Sequence, residues 1–400
     1  MSISHQVVQS MREGAWIRRM FDEGIALKRQ FGSENVFDFS LGNPITEPPP
    51  QFKEELRRLA EHPTPGMHRY MPNAGYPETR AAVAQQLAQE TGLPFTGDNI
   101  VMTCGAGGGL NVILKAILNR GEEVVVFSPY FVEYLSYVDN HGGIPQVVPT
   151  DAQFNLDLVA LERALQPSTK GVLINSPNNP TGVVYPKETL RALGELLRQK
   201  EGEYGTEIFL ISDEPYRKLL YDGLKYPHVF HHHVRSLAVT SHSKDLALPG
   251  ERIGYVAVHP AYQGQVDLLE ALTYANRVLG FVNAPALMQH LVRRLQEVTV
   301  DIAEYQRKRD SLYQQLTAMG YSLVKPQGAF YLFPRTPIPD DVAFTRELQK
   351  RNILTVPGRG FGTPGHFRIA YCVDDRTIEG SMLGFQEVAN AFGLRPNPPA

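Results

Sequence analysis

Six short, almost unbroken apolar runs punctuate the middle of the chain: EEVVVF, IPQVV, GVLIN, IFLIS, SLAVTS and RIGYVAV. GGGLNVILKAIL precedes them, and the segments between the first four, among them LDLVALERAL and ETLRALGELLRQK, return apolar residues at helical spacing, with a further helix after Pro129. A strand with one wet face alternates apolar and polar residues, whereas a strand covered on both faces has no polar position to alternate with. The pattern therefore predicts an α/β unit with a mostly parallel sheet sandwiched by helices.

The flanks read differently. Residues 11–30 carry Ile17, Met20, Phe21, Ile25 and Leu27 at helical intervals and lead into VFDFSLGNP, a short strand ending at Gly42. Proline fixes φ and lacks an amide proton, so the Pro-rich stretch 44–50 predicts an extended linker where the chain crosses between domains. A helix is expected over 77–91 and a long helical region over 265–316, broken at Asn283, Ala284 and Pro285. YSLVKPQGAFYLF, a helix over 341–351, ILTVP, HFRIAY and a last helix over 375–392 then mix a small sheet with helices. The expected division is a large domain at 46–290 and a smaller one from 1–45 and 291–400.

A length of 400 residues fits this division at roughly 100–200 residues per domain. The formal charge of -3 is small, so neither a basic field for nucleic acid nor an acidic disordered tail is indicated. Two cysteines, Cys104 and Cys372, give no disulfide framework and suit a reducing compartment. No apolar leader or membrane-length run is present, so a soluble, cytoplasmic protein is expected. His228 and the triplet His231, His232 and His233 lack acidic or cysteine partners at ligand spacing; no metal is expected there, only a wet loop.

Ligands of open α/β sheets bind beyond the carboxyl ends of the strands. At those ends stand Phe131, Asn179, Asp213 with Tyr216, and Ser241 followed by Lys244. Lys244 is the only lysine in the small, hydroxylic and apolar run SHSKDLALPGERIGY; a lysine held partly out of water exposes a neutral amine able to attack a carbonyl. Arg252 follows a turn at Pro249 and Gly250 that can fold it back toward that amine. TCGAGGGLNVILKAIL offers backbone amides at a helix start, a ready anion site, but with Leu110 in the third glycine position it is no dinucleotide fingerprint.

Taken with a GxP motif at Gly42, Y-x-P-x-x-G from Tyr70, NNPTG, D-E-x-Y from Asp213, S-x-S-K and PG-x-R-x-G-Y, GAFYLF from Gly328, PGRGFG from Pro357 and FRIAY around Arg368, the chain resembles the class I/II aminotransferases of fold type I. The resemblance covers nearly the whole chain. It implies a large domain with a mostly parallel, seven-stranded sheet, a smaller α+β domain, pyridoxal 5'-phosphate (PLP) as cofactor and a homodimer.

It also implies roles. Lys244 would hold PLP as a Schiff base and then shuttle a proton at the substrate; Asp213 would keep the pyridine nitrogen protonated; Tyr216 and Asn179 would bond the ring's 3'-oxygen; Phe131 would stack on the ring. The phosphate would fall to Gly105, Ala106 and Gly107, to Ser241, Ser243 and Arg252, and to Tyr70 of the partner subunit. Arg368 would clamp the substrate α-carboxylate with Gly42 and Asn179, and Ile17 would line the side-chain pocket on a first helix that closes over the substrate. Gly107 departs from the serine, threonine or lysine of many relatives, which weakens the case for aspartate specificity, and His242 departs from a commonly apolar residue. The expected reaction is transfer of an amino group from an L-amino acid to a 2-oxo acid, commonly 2-oxoglutarate. A β-lyase on the same scaffold and a non-catalytic PLP-binding regulator are the alternatives.

Overall fold

The computed structural model describes residues 3–5, 7–8, 11 and 16–395, with the side chains of residues 16–19 and 21 outside that description. Seven strands form the main sheet: β2 (Ile100–Thr103), β3 (Glu123–Ser128), β4 (Ile144–Pro149), β5 (Thr169–Asn175), β6 (Phe209–Asp213), β7 (Ser236–Ser241) and β8 (Gly254–Val258), in the order β2-β8-β7-β6-β5-β3-β4. All neighbours run parallel except β8, which is antiparallel to both β2 and β7.

The apolar runs are continuous because each face has its own cover. Val124 and Val126 point with Leu173 and Val239 toward helices Gly105–Ile117 and Gln265–Val278. Val125 and Phe127 point the other way, with Val172 and Ile174, toward helices Leu158–Ala164 and Lys187–Tyr204. Each such valine or leucine contributes roughly 1.5–3 kcal/mol by leaving water, so neither face tolerates a polar residue cheaply.

Two small sheets form from the chain's ends. The short strand β1 (Phe37–Asp38) pairs in parallel with β10 (Ile353–Leu354), and β11 (Val356–Pro357), β12 (Phe367–Ala370) and β9 (Tyr331–Leu332) form an antiparallel set. Helices Ile302–Ala318, Asp341–Gln349 and Asp375–Ala391 accompany them over a core containing Phe39, Leu312, Phe344 and Phe385. Tyr216 and Leu219, which follow β6 of the main sheet, belong to this second core, so the seam between the two bodies passes through Tyr216.

Two elements go beyond the sequence expectations. The predicted linker ends by opening the helix Pro50–Glu61, whose first residue is a proline with φ already set for a helix start. The strand β2 occupies the edge of the main sheet just before the glycine loop. The helix expected over 11–30 is described over Trp16–Phe31, and no helix among the described residues is long and apolar enough to cross a membrane.

Candidate active site

The carboxyl ends of β3, β5, β6 and β7 open into a cavity of about 290 Å³. Gly42, Ala106, Gly107, Phe131, Asn179, Asp213, Tyr216, Ser241, Ser243, Lys244, Arg252 and Arg368 all line it, so twelve of the fifteen candidate residues meet in one place. Gly105 lies just behind the wall at φ +70°, where an added Cβ would come within 2.9 Å of Arg252 Nη2. Tyr70 is not in the cavity and is 90% exposed. Ile17 falls on the helix Trp16–Phe31, but its side chain lies outside the described residues. A larger groove of about 540 Å³ runs along the outer side of helix Gln265–Val278 and contains none of these residues.

Asp213 ends β6 and is buried. Its Oδ2 accepts a 2.5 Å hydrogen bond from the Tyr134 hydroxyl, and its Oδ1, equally buried, has no partner among the described residues. Burial pushes this carboxyl up to about 7 against the opposing pull of Tyr134. Nearby, the Asn175 side-chain amide donates to the Asp213 carbonyl at 2.9 Å, and Asn175 Oδ1 accepts from the Asn179 amide at 2.7 Å, which ties the ends of β5 and β6 together.

Lys244 sits on a one-turn helix, His242–Asp245, that β7 feeds directly. Its Nζ donates to the Gly42 carbonyl at 2.6 Å and lies 5.4 Å from the centre of the Phe330 ring. Burial brings the amine down to about 8, helped by the cations Arg368 and Arg252 and opposed by Cys372. Gly42 cannot carry a side chain here, because a Cβ would stand 2.0 Å from the Tyr331 hydroxyl. That hydroxyl is itself bonded to the Tyr216 hydroxyl at 2.7 Å.

The other end of the cavity is built for an anion. Helix Gly105–Ile117 points its unpaired first amides, including those of Ala106 and Gly107, toward it. Arg252 takes a left-handed backbone, φ +52°, after the turn Pro249–Glu251 and so returns to the same wall as Lys244. Ser241 and Ser243 add two buried hydroxyl-bearing residues.

Arg368, on β12, is 2% exposed. Nη1 donates to Asn179 Oδ1 at 3.0 Å and Nη2 to the Ser40 carbonyl at 2.6 Å, while Nε has no partner. The guanidinium lies 4.8 Å from the ring centres of both Tyr331 and Phe361. A planar fork held this way is preorganised for a carboxylate.

Several lining residues were not anticipated from sequence. Tyr134, Glu133 and Tyr137 stand on helix Glu133–Asn140, whose EYLSYV pattern reads as an ordinary amphipathic face; Tyr331 lies within GAFYLF, and only that motif could have found it. The histidine patch also needs correction: His228, His232 and His233 are buried, and only His231 of the four is exposed. Burial and neighbouring arginines take His228 and His233 down to about 4, and His233 Nε2 faces the Ile208 carbonyl at 2.9 Å. No metal-ligating cluster occurs among the described residues.

His242, the departure next to Lys244, has a structural partner. Its Nδ1 lies 3.1 Å from Asp245 Oδ2, buried on the same helical turn, with Lys218 Nζ 3.5 Å from the same oxygen. Burial alone would raise the Asp245 carboxyl, but His242 and Lys218 hold it below its ordinary value. His242→Leu strips one partner from a buried carboxylate and is expected to cost roughly 1–3 kcal/mol, read by urea unfolding of the cofactor-loaded protein.

The model of aminotransferase class I and II matches residues 34–381. The chain belongs to the class I and II aminotransferase family. It is 33% identical over 395 residues to the aspartate/prephenate aminotransferase of Thermus thermophilus, covering 95% of this chain and 97% of that one. It is 31% identical over 365 residues to a probable aspartate aminotransferase of Methanocaldococcus jannaschii, covering 89% and 94%. Among solved structures, an aminotransferase from Eubacterium rectale superposes with a TM-score of 0.95 at 39% identity, covering 98% of this chain and 99% of that chain. The Thermus thermophilus aspartate aminotransferase with maleate superposes with a TM-score of 0.84 at 31% identity, covering 97% and 100%. The fold is that of these fold-type-I aminotransferases, and the protein is an enzyme of this class.

Proposed function

We propose that this aminotransferase uses PLP, bound in the 290 Å³ cavity, to move an amino group from an L-amino acid to a 2-oxo acid. The observation that carries the reading is the buried, unpartnered Asp213 Oδ1, a carboxylate oxygen awaiting a proton-bearing ring nitrogen. The anion end at Ala106, Gly107, Ser241, Ser243 and Arg252 suits the phosphate, and the depressed Lys244 amine suits a carbonyl, so the residues present fit the cofactor. Bound there, PLP supplies a carbonyl for amines and a ring that takes up the electron pair left when the substrate Cα loses its proton.

The chain's own residues do the rest. Arg368 holds the α-carboxylate with Asn179, and Gly42 leaves room beside it. Lys244 Nζ, once released from the cofactor, would take the proton from the substrate Cα and return it two atoms further along, at the former carbonyl carbon, which a neutral amine near pH 8 allows. With the cofactor bound, Asp213 would stay ionised opposite the ring nitrogen, Tyr216 and Asn179 would hold the ring oxygen, and Phe131 would cover the ring face.

We further propose a homodimer in which Tyr70 of one subunit completes the phosphate site of the other. Supporting this, Tyr70 is 90% exposed, and Val266 and Tyr274 beside the 540 Å³ groove are 64% and 65% exposed. The two-domain division at 46–290 against 1–45 and 291–400 is supported by β1 pairing with β10, although Leu291 and Leu295 still pack on the larger body. A cytoplasmic location agrees with two free cysteines.

A half-reaction screen tests the function. The loaded enzyme is mixed with each common amino acid, and loss of cofactor colour is followed together with the oxo acid formed. Stoichiometric oxo acid, with colour restored by a second oxo acid, is expected. Pyruvate and ammonia from a cysteine conjugate without any acceptor would mark β-elimination instead.

A further inference from the structure

Apart from Asp213, Glu133 is the only acidic residue among the described residues lining the cavity. It opens helix Glu133–Asn140, one turn before Tyr137 on the same face. Its Oε2 is closed off from solvent and has no hydrogen-bond partner among the described residues. Arg368, Tyr137 and Tyr331 are its titratable neighbours. Burial raises this carboxyl above its ordinary value, and its own backbone amide and Arg368 offset that rise only in part. A buried carboxylate oxygen left unmatched by the protein is costly and persists where something that enters the site matches it.

The cations of the cavity are already committed. Lys244, Arg252 and Arg368 are the three that line it; Lys244 bonds the Gly42 carbonyl, Arg252 belongs to the anion end, and Arg368 holds Asn179 and the Ser40 carbonyl beneath the α-carboxylate position. Among the described residues, no fourth cation lines the wall to receive a second carboxylate.

We propose that Glu133 selects the amino donor by its distal group, accepting a hydrogen bond from an amide, amine or hydroxyl and repelling a second carboxylate. The inference rests on the aminotransferase reading. It separates this chain from the Thermus thermophilus aspartate aminotransferase, whose structure carries the dicarboxylate maleate. The 2-oxo acid acceptor enters the same cavity and meets the same selection, which disfavours 2-oxoglutarate, the acceptor expected from sequence.

The test compares maleate with maleamate, which differ by one carboxylate exchanged for an amide and neither of which can donate an amino group. Calorimetric titration of the cofactor-loaded wild type is expected to show maleamate binding at least tenfold more tightly than maleate. Glu133→Gln, nearly isosteric, is expected to close that gap, and Glu133→Ala serves if the first variant folds poorly. Asparagine and aspartate half-reactions should follow the same order, with the ratio of kcat/KM shifting at least tenfold toward aspartate in the variant. Maleate binding the wild type as tightly as maleamate, or a ratio unchanged by both substitutions, overturns the role of Glu133. Because the inert ligands report without turnover, failure of aminotransfer itself would appear separately, in the screen above.

Discussion

Lys244→Ala is expected to reduce turnover by roughly 10⁴-fold while leaving the fold intact. In the proposed mechanism this amine both anchors the cofactor and moves the proton, and among the described residues no other lysine lines the cavity. Borohydride treatment of the loaded wild type is expected to leave the cofactor attached to the peptide carrying Lys244, and to none in the variant. The same residue predicts a pH profile. Only the neutral amine attacks a carbonyl, and burial sets this one at about 8, so capture of PLP by the cofactor-free protein should rise with pH, reach half its maximum near 8 and level off about one unit higher. A capture rate still climbing beyond pH 10, or an adduct on another lysine, would sink the assignment.

Asp213→Asn is expected to lower kcat by roughly 10²–10³, the scale of removing one preorganised charge contact from a reacting system. Its effect on stability should have the opposite sign in the absence of cofactor. The folded carboxyl sits at about 7, above its unfolded value near ~3.9, so the folded state holds more protons in that window. The cofactor-free protein therefore loses stability as pH rises from about 4 to 7, by an amount on the order of 4 kcal/mol for this group. The variant lacks that fall and should be the more stable cofactor-free protein at pH 8, yet the less stabilised by PLP. Urea unfolding across pH 5–8, with and without PLP, checks both signs; identical pH slopes for the two proteins would remove the argument.

Both residues could be singled out from sequence because of where strands end. Burial on two faces makes β3, β5, β6 and β7 into continuous apolar runs, and a polar residue that interrupts such a run marks its edge, as Asp213 does after IFLIS. β2 was harder, since IVMT is only four residues long and its apolar character fits a strand or a loop before a glycine turn equally well. The helix Pro50–Glu61 was hidden by its own start: three successive prolines read as a linker, although the last is a good first helical residue. Within the site, motif residues were legible and Tyr134 and Glu133 were not, because on an amphipathic helix a polar residue facing a cavity has the same spacing as one facing water. His233 misled for a related reason: composition suggests solvent, but a neutral imidazole bonded to a carbonyl is buried at little cost.

The chain leaving β1 contributes two carbonyl oxygens to the site, that of Ser40 to Arg368 and that of Gly42 to Lys244. Replacing the side chains of Ser40 or Leu41 removes neither oxygen, so substitutions at those two positions would understate what their backbone does. Its sensitivity is to spacing instead. Deleting a single residue between Asp38 and Gly42 would slide both oxygens at once, taking their acceptors from two cations that lie 124 positions apart in the sequence.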